Sequence, residues 1–130
     1  MRKVRQARGR KFVSGPEGEV YNLQDLFEGL NQRFFGGLMA RPQLGWSRKP
    51  SRTLLGHFDP THNAIIISKI FDRAECPALA LEYVMFHEML HLRFPTEHRG
   101  ARRCVHTREF KAAEKTFPDF EKAKGLLKNL

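Results

Sequence analysis

CPALALEYVMFHEMLHLRFP, residues 76–95, is the stretch whose reading decides the fold. Leu79, Leu81, Tyr83, Val84, Met85, Phe86, Met89 and Leu90 surround a helix axis instead of marking one stripe, which predicts a helix buried on nearly every side. Pro77 suits a first helical turn, and Phe94-Pro95 ends the helix near Arg93, because proline disfavours helical backbone in the residue before it. Such a helix has little room for polar side chains, so His87, Glu88 and His91 need a physical reason to be there.

Together they form His87-Glu88-Met89-Leu90-His91, the HExxH pattern, whose two imidazoles project from one helical face. By chance alone the pattern could be ordinary core or surface histidines. Burying two imidazoles and a carboxylate without partners is costly, however, and a metal ion removes that cost. Zinc binds imidazole nitrogen and, at catalytic sites, keeps three protein ligands and an open position. Glu88, one residue round the helix, is then placed as the base that takes a proton from an attacking water. The expected cofactor is one Zn2+ per chain.

The third ligand lies downstream. A glycine and a third histidine at the positions of Phe94 and Glu97 would complete the longer HExxHxxGxxH pattern, and neither is present. His106 is the preferred candidate, because it opens a new helical pattern, His106 to Phe110, after a loop long enough to return to the first helix. Glu109, one turn on, and His98 remain alternatives. Phe110 and Phe117 are expected to pack beneath the site.

Upstream of the metal helix, Asn22 can cap a helix with Asp25 three residues on, and Tyr21 and Leu26 form a hydrophobic staple. Leu23, Leu26, Phe27, Leu30 and Phe34 give that helix one apolar face, and Gly36-Gly37 stops it. Gln43 to Ser47, Thr53 to Phe58 and Ala64 to Ser68 are three candidate strands separated by turn residues. The continuous Ile65-Ile66-Ile67 run predicts a central strand covered on both faces. Thr53 to Phe58 is the candidate edge on which an extended peptide could align. The predicted class is α+β: an N-terminal helix, a small three-stranded sheet, the HExxH helix and C-terminal helices. Residues 1–20, basic and without apolar periodicity, are expected to form a mobile arm, leaving 21–130 as the domain.

With 130 residues, 41% hydrophobic and 28% charged, the chain has the balance of one soluble domain. No apolar run approaches the ~20 residues of a bilayer span, and no secretory signal pattern occurs, so a cytoplasmic monomer without membrane contact is expected. Cys76 and Cys104 lack metal or disulfide spacing and are expected to be free thiols. A net charge of +9 favours polyanions, with the arm and Arg99, Arg102 and Arg103 as possible DNA contacts. His57 could line the cleft or polarise a substrate carbonyl, and Tyr83 could stabilise an oxyanion. His62 is expected to be solvent-exposed without a role, and Trp46 to be core.

The chain resembles the SprT-like (Spartan-type) zinc metallopeptidases. The resemblance runs from Asn22 to Phe110 through Asn31-Gln32-Arg33-Phe34-Phe35-Gly36, Gly45-Trp46-Ser47, Ala64-Ile65-Ile66-Ile67-Ser68, the HExxH residues, and His106 with Phe110. It implies a minimal zincin fold, zinc on His87, His91 and His106, Glu88 as base, and protein substrates, in some members crosslinked to DNA. Thr107 stands where the family usually has glycine, and the zinc-ribbon extension of many members is absent from the sequence. The segment Phe117 to Lys124 is similar to the end of the YgjP-type metal-dependent hydrolases, which have been linked to nucleotide phosphohydrolysis. Peptidase chemistry, nucleotide phosphohydrolysis with Arg99, Arg102, Arg103 and Arg108 on phosphate, and a non-enzymatic nucleic-acid-binding module with structural zinc are therefore three competing functions.

Overall fold

A computed structural model describes residues 14–99 and 102–130. Helix α1 (Leu23–Phe35) starts where Asn22 places its side-chain oxygen on the backbone N–H groups of Gln24 and Asp25. It ends at Gly36, whose φ of 63° is left-handed backbone that glycine adopts without a Cβ penalty. Leu23, Phe27, Leu30 and Asn31 face inward. Asn31 is the polar exception, satisfied by donating to and accepting from the backbone of Met39, which ties down the loop after the helix.

Three strands follow: β1 (Gln43–Trp46), β2 (Gly56–Asp59) and β3 (Ala64–Ile67). Their order is β1-β3-β2, with β1 parallel and β2 antiparallel to β3. The isoleucine strand is thus central, and all four of its residues are buried. Strand β2 lies at an edge and is shorter than the predicted Thr53 to Phe58. Ser51 replaces part of that predicted strand with a turn, its hydroxyl accepting the Leu54 amide. His62 departs from expectation too. It is half-buried, and its Nδ1 lies 2.8 Å from Asp59 Oδ2 across the β2–β3 turn.

Helix α2 (Ala78–Arg93) is the buried helix that the sequence predicts, with Pro77 at its N-cap, one position earlier than a first-turn residue. Nine of its residues are buried, among them Leu81, Val84, Met85, Phe86, Met89 and Leu90. Each fully buried aliphatic or aromatic side chain contributes about 1.5–3 kcal/mol. The helix packs on β2 and β3, on α1, and on the C-terminal helices α3 (Arg108–Glu114) and α4 (Phe120–Leu127). Its last turn closes when Phe94 N–H reaches Leu90 O and the backbone turns extended ahead of Pro95.

Between α2 and α3 the sequence reading leaves a loop, whereas the structure forms an antiparallel hairpin, β4 (Glu97–Arg99) with β5 (Arg102–Cys104). Strands of three residues carry too little alternation to be recognised from pattern alone. Residues 1–13 lie outside the described residues, but 14–20 are fastened to the domain. Ser14 Oγ exchanges hydrogen bonds with the Trp46 backbone, and Trp46 Nε1 donates to Pro16 O. The Asp72 carboxylate accepts from the amides of Glu19, Val20 and Tyr21. Trp46 is core, as expected, and both cysteines are free. Among the described residues, no helix is long and apolar enough to cross a membrane.

Candidate metal centre

His87 and His91 sit one turn apart on α2, and His106 arrives from the end of β5 just before α3. The three rings lie 5.1 to 5.3 Å apart, centre to centre. One nitrogen from each falls within 4.8 Å of the other two, a group that could hold a metal ion. Of the alternatives for the third position, Glu109 does not join it. Glu109 is exposed on α3, and the side chain of His98 lies outside the described residues.

Local structure explains how His106 gets there. Thr107, 1% exposed, is the N-cap of α3, and its hydroxyl accepts the Phe110 amide at 3.1 Å. Helix α3 therefore starts immediately after His106, and a capping residue stands where the family's usual glycine would be. The cap also sets Phe110, fully buried, with its ring 5.1, 4.7 and 4.8 Å from those of His87, His91 and His106. Phe110 is the floor of the site. Phe117 packs one layer away, against Phe34, Tyr83 and Phe86.

Glu114, which sequence reading passes over, lies one turn beyond Phe110 on α3. Its Oε2 is 2.5 Å from His87 Nδ1 and accepts the Tyr83 hydroxyl at 2.9 Å. With Nδ1 as the donor to a carboxylate, Nε2 is the nitrogen left to bind a metal, the usual carboxylate–histidine arrangement of metal sites. A signal existed in the sequence: Phe110 and Glu114 have helical i,i+4 spacing, so a residue predicted beneath the histidines places Glu114 on the same face. Tyr83 is thereby accounted for. Its hydroxyl is spent on Glu114, and it is not among the residues lining the cleft.

Electrostatics fit a cation. Burial, reinforced by the neighbouring imidazoles His87 and His106, pulls His91 down to about 4. Burial and His87 also lower His106, so both rings present the neutral lone pairs that metal ligation requires. At His87 burial acts downward, but the hydrogen bond to Glu114 and the carboxylates of Glu88 and Glu114 outweigh it. Glu114 itself is held low, since the donors His87 and Tyr83 outweigh its burial. Burial first, and Glu114 second, push Glu88 up to about 7, against the pull of His87. Three imidazoles with ligand nitrogens within 4.8 Å of one another are a donor set suited to zinc.

These residues open onto a cleft of about 580 Å³ lined by Gly56, His57 and Phe58 of β2, by His87, Glu88 and His91, and by Thr96, Arg103 and His106. His57 is thus placed on the cleft wall. Glu88 is 5% exposed and lies against the edge strand: a Cβ at Gly56 would sit 3.4 Å from Glu88 Oε2.

A helix carrying HExxH, a third histidine before a short capped helix, and a small sheet ending in an edge strand are what a minimal zincin-like domain contains. The SprT-like family model matches residues 23–123. The chain belongs to the SprT-like family. No curated protein and no solved structure matches it. The match begins at the first residue of α1 and ends inside α4, so it takes in the three histidines, Glu88 and Glu114. The SprT-like domain is metallopeptidase-like, and its three-histidine group could hold a metal ion.

Proposed function

We propose that the chain is a monomeric zinc peptidase that cleaves extended segments of protein substrates. The observation that carries this reading is the position of β2. It is the edge of its sheet, and its residues Gly56, His57 and Phe58 line the same cleft as Glu88 and the three histidines. An extended peptide can add to such an edge by backbone pairing, which brings its carbonyl groups past Glu88 irrespective of side chain.

His87, His91 and His106 would hold the zinc. Bound there, it supplies a Lewis acid for the scissile carbonyl and acidifies water toward a pKa of about 7. Glu88 takes the proton of the attacking water on its carboxylate and delivers it to the leaving amide nitrogen. Burial raises the Glu88 carboxyl and a neighbouring cation would lower it again, opposing influences that suit a group that must both accept and return a proton. Glu114 and Tyr83 keep His87 in one orientation. His57, on the strand that would pair with the peptide, would contact the substrate.

The phosphohydrolase alternative calls for arginines converging on the metal. Among the arginine side chains described, Arg103 lines the cleft, and Arg102 and Arg108 are exposed elsewhere. A structural zinc calls for a fourth protein ligand, and the donor group found among the described residues has three. Both considerations favour the peptidase. Association with DNA through residues 1–11 and the hairpin arginines would be a separate, salt-sensitive property.

The test combines zinc stoichiometry with turnover of casein and of nucleoside triphosphates, comparing wild type with Glu88→Ala. About one zinc per chain in both proteins, with casein cleavage lost in the variant, supports the proposal. Casein cleavage that survives in Glu88→Ala overturns the assigned base, and Glu88-dependent nucleotide hydrolysis transfers the site to the second reading.

A further inference from the structure

The cleft has a polar feature that hydrolysis of a peptide bond does not use. Strand β5 runs into the segment that delivers His106, and within the strand Arg103 lines the cleft while its neighbours Arg102 and Cys104 do not; Val105 and His106, just past the strand, line it as well. This alternation is the period of two that sends successive strand side chains to opposite faces. It sets Arg103 on the wall of the space that the substrate would occupy. Glu88, the one acidic residue among the described residues lining the cleft, is 5% exposed and held against β2 and α2. The accessible walls are therefore cationic or neutral: Arg103, His57, Thr96, Pro95, Pro60 and Val105.

From this placement, and resting on the peptidase reading, we infer that Arg103 forms a subsite for an acidic side chain or terminal carboxylate of the substrate peptide, close to the scissile bond. Guanidinium is charged at every working pH and pairs with carboxylate through two parallel N–H···O bonds, so it discriminates by charge and by shape. It belongs to a strand continuous with a metal-site histidine, which gives the subsite a fixed distance from the reacting carbonyl. A lysine or arginine at the same substrate position would meet like charge.

The experiment uses the zinc-loaded full chain and quenched-fluorescent peptides that differ at one position at a time, carrying Glu, Gln or Lys on either side of the cleaved bond. At one position wild type should favour Glu over Gln by about ten- to a hundredfold in kcat/KM, the discrimination of one charge-assisted hydrogen-bonded pair, expressed mainly in KM. Arg103→Gln should remove the preference, Arg103→Lys retain part of it, and Arg103→Glu turn it toward Lys, with zinc content unchanged in all three. Absence of a Glu preference in wild type, or its survival in Arg103→Glu, overturns the inference while leaving the peptidase intact. If no peptide is cleaved, the peptidase reading fails, and the subsite is judged by binding of the same peptides to Glu88→Gln protein. Charge-selective binding that is lost in Arg103→Glu supports it, and binding indifferent to either charge overturns it. An oligonucleotide that binds through Arg103 without any Glu-over-Gln discrimination among peptides also overturns it, assigning the arginine to nucleic acid.

Discussion

Replacing Glu114 should weaken metal binding without removing any ligand. Both of its hydrogen bonds land on one oxygen, Oε2, from His87 at 2.5 Å and from Tyr83 at 2.9 Å. Glu114→Gln keeps an acceptor oxygen at that place but loses the charge, and charge-assisted bonds are about twice as strong as neutral ones. Glu114→Ala removes the acceptor altogether, freeing the His87 ring to turn and leaving the Tyr83 hydroxyl without its partner in a site where it is 7% exposed. Residues that orient a metal-binding histidine are generally worth about 10–100-fold in affinity, or about 1.4–2.8 kcal/mol. Gln belongs at the lower end of that range and Ala at the upper. Tyr83→Phe, which leaves the His87 contact in place, should cost less than either. Competition against a chromophoric chelator measures the affinities, and melting of the metal-free proteins separates this effect from general destabilisation. Wild-type zinc affinity in folded Glu114→Ala would refute the orienting role and leave the contact as packing.

Gly56→Ala should cost about 1–2 kcal/mol, because its Cβ would meet Val84 Cγ1 at 3.0 Å and Ile67 Cδ1 at 3.2 Å, and overpacking costs about that much. The displaced strand moves away from Glu88, so turnover should fall by more than urea unfolding alone accounts for; an unchanged kcat would detach β2 from the chemistry. Asp72 has a folded pKa below its ordinary 3.8, since three backbone donors and Lys69 outweigh its partial burial. The stability it contributes is fully present above pH ~4 and is lost as pH falls through the depressed folded value. Asp72→Ala should therefore destabilise the protein at neutral pH and flatten its acid-unfolding curve below pH ~4. Thr107→Ala should cost about 1 kcal/mol through loss of the α3 cap, whereas Thr107→Gly should cost only a few tenths. Thermal melts of the two variants test the cap, and equal losses would show that the buried methyl matters more than the hydroxyl.

Most of the fold was legible because it is written in short-range periodicity. The Asn22 cap and Gly36 bracket α1, the isoleucine run marks the central strand, and the all-round apolar α2 marks the helix on which everything packs. What the sequence hid is non-local. The amides of Glu19, Val20 and Tyr21 find their acceptor in Asp72, some fifty positions later, and no local pattern records such a bond. Residues 19–21 are consequently held to the domain by bonds that their own segment does not announce.

The same distinction holds inside the site. His87, Glu88 and His91 announce themselves by spacing on one helix. Glu114 is 27 positions from His87, and it resembles any acidic residue on a helix until the fold brings α3 against α2. The two kinds of residue differ in what a change to them does. Losing one of the three histidines, such as His106, would remove a proposed metal ligand outright. Losing Glu114 leaves every ligand present and alters only how tightly the His87 ring is held. A site can therefore keep a complete HExxH signature and a third histidine yet bind metal about 100-fold more weakly, because the residue that sets the ring's orientation lies on another helix.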